Sequence, residues 1–237
     1  MSTLVFDLGM HNGDDTAFYL ARGHRVVAVE ANPALCEAAH VRFTNQIAAG
    51  ELVIVNRAIA DTADDVAFHI SCANDQWSST DPRWAGRENA STRVVTVPGV
   101  SLARLIDEFG VPHYIKIDIE GADLLAMEQL AVSSARPDFV SVEDCRFGYE
   151  YVETLSQAGF GRFQLVDQST LRGQRDPMTG MVFSDSSSGP FGDDLPDHWL
   201  GKDDFLRHYE DLVRARTDRL KYARHGNTVW WDIHARR

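Results

Sequence analysis

The chain has 237 residues, 44% of them hydrophobic and 24% charged, with 23 Lys+Arg against 35 Asp+Glu. That composition excludes collagen-like, disordered and coiled-coil chains, and an acidic body is a poor non-specific ligand for nucleic acid. No run is long and apolar enough for a membrane span, and Cys36, Cys72 and Cys145, odd in number and without CxxC spacing, point to a reducing, cytoplasmic setting.

Residues 4–7 form a short apolar strand that stops at Asp7, and the start of the chain reads as this strand, not as a signal peptide. A helix follows over 14–22, with Asp14 and Asp15 in its first turn and Gly23 after it. Residues 25–30 are a second buried-type strand, again ending in an acid, Glu30. Pro33 starts one helix that runs to about residue 48, and 52–55 is a third strand. Residues 66–70 and 93–97 read as a hairpin pair around a polar loop. Ser101 caps a helix carrying Leu102, Leu105, Ile106 and Phe109 on one face. Strands at 114–118, 139–143 and 163–166 alternate with helices at 123–130 and 149–158. Residues 167–197 are rich in Asp, Ser, Gly and Pro and read as a long loop or lid. A polar, basic helical stretch at 202–224 and a β-rich run at 228–233 complete the chain, with no internal repeat.

Strand–helix alternation predicts a doubly wound α/β fold with a mostly parallel sheet, which binds ligands beyond the carboxyl ends of its strands. Asp7, Glu30, Asp118 and Glu143 each end a strand, so they converge on one edge. The first turn is D-x-G-x-x-x-G at residues 7–13, not the G-x-G-x-x-G of dinucleotide enzymes. Carboxylates at Asp7, Asp14 and Asp15 crowd the place where pyrophosphate would sit. They suit a ligand carrying ammonium or sulfonium, and Glu30 stands where an acid takes ribose hydroxyls. A nucleoside with a cationic tail is S-adenosylmethionine.

The first turn, V-E-A-N-P at 29–33, N-R-A-I-A-D at 56–61, residues 97–105 and above all I-K-I-D-I-E-G at 115–121 resemble the FkbM-type class I S-adenosylmethionine-dependent methyltransferases. The V-S-V-E run at 140–143 is similar to that family's next strand, while the block from Gly9 to Thr16 departs from its commoner apolar turn. The resemblance implies a Rossmann-like sheet of seven strands, the last antiparallel, and methyl transfer to oxygen, commonly a sugar hydroxyl. It implies a single domain: a cofactor-binding core over about 1–166 plus a last strand at 228–235. Residues 167–227 would then be a cap over the acceptor, a small molecule, nucleotide sugar or glycan. An N-methyltransferase of an amino sugar, a non-catalytic nucleoside-binding module, and a homo-oligomer stay open.

The implied roles follow residue by residue. Asp7, Gly9 and Gly13 turn around the methionine end of the cofactor, with His11 and Asn12 toward its carboxylate. Glu30 holds the ribose, Ala31 and Asn32 lie beside the adenosine, and Asn56 and Ala58 flank the adenine. Asp118, with Glu120 and Glu143, forms the reacting edge, where a base must take the hydroxyl proton. Lys116, in the same strand as Asp118, is expected on the other face. Asp118, Glu143 and Asp144 resemble the carboxylate set of metal-dependent O-methyltransferases, which would hold Mg²⁺ or another divalent ion. The alternative is that Glu143 orients the acceptor and Asp144 is solvated. His69, His113, His198 and His234 are candidate bases, and nothing in the sequence selects among them. Trp77, Ser78 and Ser79 lie in the loop expected to cover the cofactor. One of Trp230 and Trp231 faces the acceptor, and Arg214, Arg216, Arg219, Lys221 and Arg224 suit an anionic one.

Overall fold

In the computed structural model, residues 3–144, 147–222 and 230–237 are described, with the backbone alone over 213–222. The first half runs β1 (Leu4–Leu8), α1 (Asp14–Ala21), β2 (Arg25–Val29), α2 (Pro33–Arg42), α3 (Thr44–Ala48), β3 (Leu52–Val55), β4 (Ala58–Ile59), β5 (Asp65–Ser71), α4 (Pro82–Ala85) and β6 (Thr92–Val100). It continues with α5 (Leu102–Phe109), β7 (Tyr114–Ile117), α6 (Asp123–Val132), β8 (Phe139–Glu143), α7 (Gly148–Gln157), β9 (Arg162–Asp167), β10 (Leu200–Gly201), α8 (Lys202–Tyr222) and β11 (Trp231–Arg236).

The main sheet has the order β10-β9-β11-β8-β7-β1-β2-β3. Strands β3, β2, β1, β7 and β8 pair in parallel, and β11 runs antiparallel between β8 and β9. This is the expected α/β sheet with its antiparallel last strand, plus a two-residue eighth strand at one edge. The strand order reverses between β1 and β7, where ligands collect in such sheets. The expected hairpin forms too: β5 and β6 pair antiparallel, and β4 adds in parallel to β6.

Alternation along the strands divides the core into two layers. Phe6, Leu8, Val27, Ile115, Ile117 and Val142 face α5, α6, α7 and α8. Val5, Val26, Ala28 and Tyr114 face α1 and α2. The second face is completed by the segment 167–199, which packs into the core as well as reaching the cavity. Phe183 and Phe191 are buried there, and Phe191 stacks on Tyr114 with centroids 3.8 Å apart. Fully burying one such ring contributes about 2–3 kcal/mol, enough to hold a loop without regular structure.

The single helix expected over 33–48 breaks at Phe43 (φ −109°), separating α2 from α3. The Phe43 ring packs on Gly13, where an added Cβ would come within 2.7 Å of it. The last strand lies at Trp231–Arg236 and not at 228–233; Thr228 and Val229 fall outside the described residues. Among the described residues no helix is long and apolar enough to cross a membrane.

Candidate active site

The carboxyl ends of β1, β2, β7 and β8 open into a cavity of about 680 Å³. That volume suits a nucleoside-sized ligand with room beside it. The first turn forms its floor. Gly9 has φ +92°, and a Cβ on it would fall 1.8 Å from the Asp118 carbonyl oxygen, so only glycine lets β1 and β7 pass this closely. His11 is also left-handed (φ +49°); its backbone N–H donates to Glu30 Oε2 at 2.8 Å. The Asn32 N–H donates to Glu30 Oε1 at 2.7 Å, so a buried carboxylate is fixed at the end of β2. Burial raises the Glu30 pKa, and these two N–H donors work against the rise.

Gly9, His11, Asn12, Glu30, Ala31, Asn32, Ala58, Asp118, Glu120 and Glu143 line the cavity as expected. Three other predicted cofactor residues stand behind its wall. Asp7 is wholly buried and accepts the Thr16 hydroxyl at 2.6 Å, anchoring α1 beneath the turn. Gly13 lies under Phe43. The Asn56 amide donates to the carbonyls of Glu30 and Ala31 at 2.9 and 3.2 Å, which fixes the loop after β2.

At the opposite end, ligand atoms of Asp118, Glu120 and Glu143 all lie within 4.8 Å of one another. These are the three acids expected at the reacting edge; the set expected for a metal, Asp118, Glu143 and Asp144, is corrected in its third member. Asp144 follows Glu143 on the strand and so points the other way, buried, where it accepts the Tyr209 hydroxyl at 2.8 Å. Glu120 takes its place through a left-handed kink (φ +51°) after β7. It receives Trp84 Nε1 at 2.5 Å and Arg87 at 3.0 Å. Burial and the neighbouring Asp118 push its pKa up to about 7. Burial, then Asp118 and Glu120, hold Glu143 well above the carboxylate range.

Lys116 is a second correction. Residues two apart on a strand share a face, so Lys116 points the same way as Asp118 and lines the cavity. Its ammonium lies 3.1 Å from Asp118 and 3.6 Å from Asp15, almost fully buried. Burial opposes that charge, but the carboxylates of Asp118, Asp15, Asp7 and Asp232 outweigh it and keep the pKa high. Burial also raises Asp15 to about 6 and Asp232 to about 7.

Two loops cover the cavity. From the β5–β6 connection come Asp75, Gln76, Trp77, Ser78 and Arg87. Ser79 does not line it; its hydroxyl donates to the Glu120 carbonyl at 2.6 Å. From the 167–199 segment come Ser169, Arg172, Asp185, Ser186 and Ser188. The loops meet where Gln76 donates to Ser186 Oγ at 3.3 Å, and Asp75 reaches His11 at 3.2 Å. The Ser188 and Gly189 N–H groups donate to Asp15, tying the second loop to α1. Trp230 lines the cavity, while Trp231 is buried in the sheet. None of His69, His113, His198 or His234 lines it. His113 pairs with Asp138, and His234, fully buried, is held down to about 3 by burial. The side chains of Arg214, Arg216, Arg219, Lys221 and Arg224 lie outside the described residues.

Sequence could have found Lys116 from strand parity. Glu120's kink and its side-chain contacts with Trp84 and Arg87 leave no sequence signal.

A search of curated proteins returned no match. Among solved structures, precorrin-6y C5,15-methyltransferase from Geobacter metallireducens GS-15 is 11% identical with a TM-score of 0.44, over 99% of this chain and 78% of that one. An S-adenosylmethionine-dependent O-methyltransferase from Thermotoga maritima is 11% identical with a TM-score of 0.46, over 100% of this chain and 59% of that one. An O-methyltransferase from Bacillus cereus in complex with S-adenosylhomocysteine is 10% identical with a TM-score of 0.42, over 100% of this chain and 74% of that one. The model of the FkbM methyltransferase domain matches residues 7–165. From the first glycine turn into β9, then, the chain belongs to the FkbM methyltransferase family, and it is an S-adenosylmethionine-dependent methyltransferase.

Proposed function

We propose that this methyltransferase acts on a hydroxyl group of a sugar or glycan. The observation that carries the reading is the carboxylate group of Asp118, Glu120 and Glu143 in a cavity whose walls include Trp77 and Trp230. Carboxylates take hydrogen bonds from sugar hydroxyls, and aromatic faces cover the apolar face of a sugar ring.

The other end fits the cofactor. Ala31, Leu35, Ala58, Ile59 and Phe68 offer an apolar slot for adenine, and Glu30 takes the ribose hydroxyls. Gly9, His11 and Asn12 form the turn around the methionine end, with Asp15 and Asp118 beside its cationic groups. When bound, S-adenosylmethionine supplies an electrophilic methyl group on sulfonium. Asp118, fixed by Lys116, accepts the acceptor's hydroxyl proton. Glu143 and Glu120, whose pKa values are raised, share it. Asp7, Gly13 and Asn56 act from behind by holding the turn and the strand end.

A divalent ion at Asp118, Glu120 and Glu143 is the second reading, favoured by their mutual distance. Proton sharing is preferred because two of the three carboxylates already hold cations, Lys116 on Asp118 and Arg87 on Glu120. Transfer that survives chelation supports proton sharing; transfer lost on chelation and restored by Mg²⁺ reverses the preference. The main test uses tritiated methyl groups and a panel of sugars, nucleotide sugars and oligosaccharides. Mass spectrometry of the product must place the methyl on oxygen. Transfer to an amino-sugar nitrogen, or to no saccharide, overturns the reading.

A further inference from the structure

Four carboxylates surround the Lys116 ammonium: Asp118 at 3.1 Å, Asp15 at 3.6 Å, and Asp7 and Asp232 near enough to act on it through their charge. One cation cannot serve all four. Three of them have donors of their own. Asp7 accepts the Thr16 hydroxyl at 2.6 Å. Asp15 Oδ1 accepts the backbone N–H groups of Ser188 at 2.8 Å and Gly189 at 3.3 Å. Asp232 accepts the Gln168 amide at 3.0 Å, and the Ser188 side chain stabilises the same carboxylate. Asp118 differs: among the described residues Lys116 alone donates to its side chain.

Apart from Thr16, every one of these donors lies in the segment 167–199. Gln168 does not line the cavity, and neither does Asp232. Gln168 is 1% exposed, and its Oε1 is buried without a partner. An apolar side chain would avoid that cost, so packing does not explain the residue. What it supplies is an N–H for Asp232. A buried carboxylate with no donor draws the nearest cation, because little water is present to solvate either charge. With Asp15 and Asp232 held by the segment, the shortest ammonium contact is the one to Asp118.

We propose that Gln168, Ser188 and Gly189 are positioning residues: by donating to the carboxylates that compete for Lys116 they direct its ammonium to Asp118, so that the docked 167–199 segment assembles the reacting edge. This rests on the reading of Asp118 as the group that accepts the hydroxyl proton. The test is Gln168→Met, which keeps the length of the side chain and removes the donor, in the full chain with S-adenosylhomocysteine at about pH 8, where Asp232 is ionised. In its crystal structure the Lys116 ammonium should turn from Asp118 toward Asp232; an ammonium that stays within hydrogen-bond distance of Asp118 overturns the proposal. With the best acceptor from the saccharide panel, kcat should fall about tenfold while acceptor KM and S-adenosylhomocysteine affinity are unchanged. Adding Asp232→Asn removes the competing charge and should restore kcat to within a few fold of the parent. A loss that persists in the double variant, or one matched by weaker S-adenosylhomocysteine binding, overturns the proposal. If Gln168→Met does not fold, Gly189→Ala reads the other arm. Its Cβ, at φ +68°, would come within 2.7 Å of Leu171 Cδ1 and loosen the N–H pair on Asp15. Lys116 should then turn toward Asp15, and its retention on Asp118 overturns the proposal. An Asp118→Asn variant with unchanged kcat overturns the Asp118 reading and the proposal with it. A large loss in Asp118→Asn with none in Gln168→Met overturns the proposal alone.

Discussion

Replacing Gly9 by alanine is the most direct test of how the site is built. The residue sits at φ +92°, where a side chain costs about 1–2 kcal/mol. Its Cβ would lie 1.8 Å from the Asp118 carbonyl oxygen and 3.3 Å from Ile119 Cγ2. Relieving that overlap means parting the ends of β1 and β7 by roughly 1 Å, an overpacking cost of about 1–3 kcal/mol. The two terms total about 2–5 kcal/mol, a large fraction of a typical folding free energy. For a chain of this size the melting temperature should fall by roughly 5–20 °C. The same movement displaces Asp118 from Lys116 and shifts the His11 N–H that holds Glu30. Affinity for S-adenosylhomocysteine should therefore fall at least about tenfold, even where the variant is folded. Scanning calorimetry and titration calorimetry read the two effects. A Gly9→Ala protein that melts within about 2 °C of the parent and binds the ligand equally well would refute the close β1–β7 passage.

The remaining tests separate residues in the cavity wall from those behind it. Glu30→Gln replaces one of the two acceptor oxygens by an amide NH2 that faces a backbone N–H, and should weaken S-adenosylhomocysteine binding by about ten- to a hundredfold by calorimetry, whereas Asp7→Asn should lose far less. Asp118→Asn should lower kcat by about a hundredfold or more in the tritium assay, and Asp144→Asn, which can still accept the Tyr209 hydroxyl, should leave kcat within a few fold. Stability should also depend on pH. Asp15 and Asp123 are raised to about 6, and Glu120 and Asp232 to about 7. Between the ordinary carboxylate range and pH 7 the folded chain keeps protons that the unfolded chain has released. The stability these four groups contribute is therefore fully present below that range and is lost as pH rises through about 7. The melting temperature should be higher at about pH 6 than at about pH 8, and Glu120→Gln should flatten the difference. His234 opposes this only below its unfolded value of 6.5, because it stays neutral to about 3.

Strands and their order were legible because apolar runs such as V-V-A-V at 26–29 leave few other structures open, and because acids close four of them. The cofactor end was legible for a related reason: a turn with Gly9 and an acid at the end of β2 form a local pattern. The acceptor end was legible in part: Asp118, Glu120 and Glu143, expected at the reacting edge, all line the cavity, while the set expected for a metal took Asp144 instead of Glu120. What the sequence left open was which acid completes a metal-sized cluster, and the left-handed backbone at Glu120 makes that choice without altering the hydrophobic pattern. Lys116 was misplaced for a different reason, since strand parity already put it with Asp118. The 167–199 segment is the loop its composition indicated, and it reaches the cavity; what composition did not show is that Phe183 and Phe191, widely spaced within it, also complete a packed layer. Composition shows how irregular a backbone is, not how deeply two of its side chains are buried.

Strand β11 lies between β8 and β9 with antiparallel pairing on both sides. During synthesis those two strands emerge well before it, and neither can satisfy its facing edge with the other. Each therefore exposes open hydrogen-bonding groups to the cell until residues 231–236 arrive, the condition under which nascent chains associate. The same strand delivers Asp232 beneath Lys116, and Trp230 enters the cavity just before it. Completion of the sheet and completion of the site are thus one event. A ribosome-bound chain stalled before that point should bind no S-adenosylhomocysteine, and slow translation across the 167–199 segment would lengthen its exposure to chaperones.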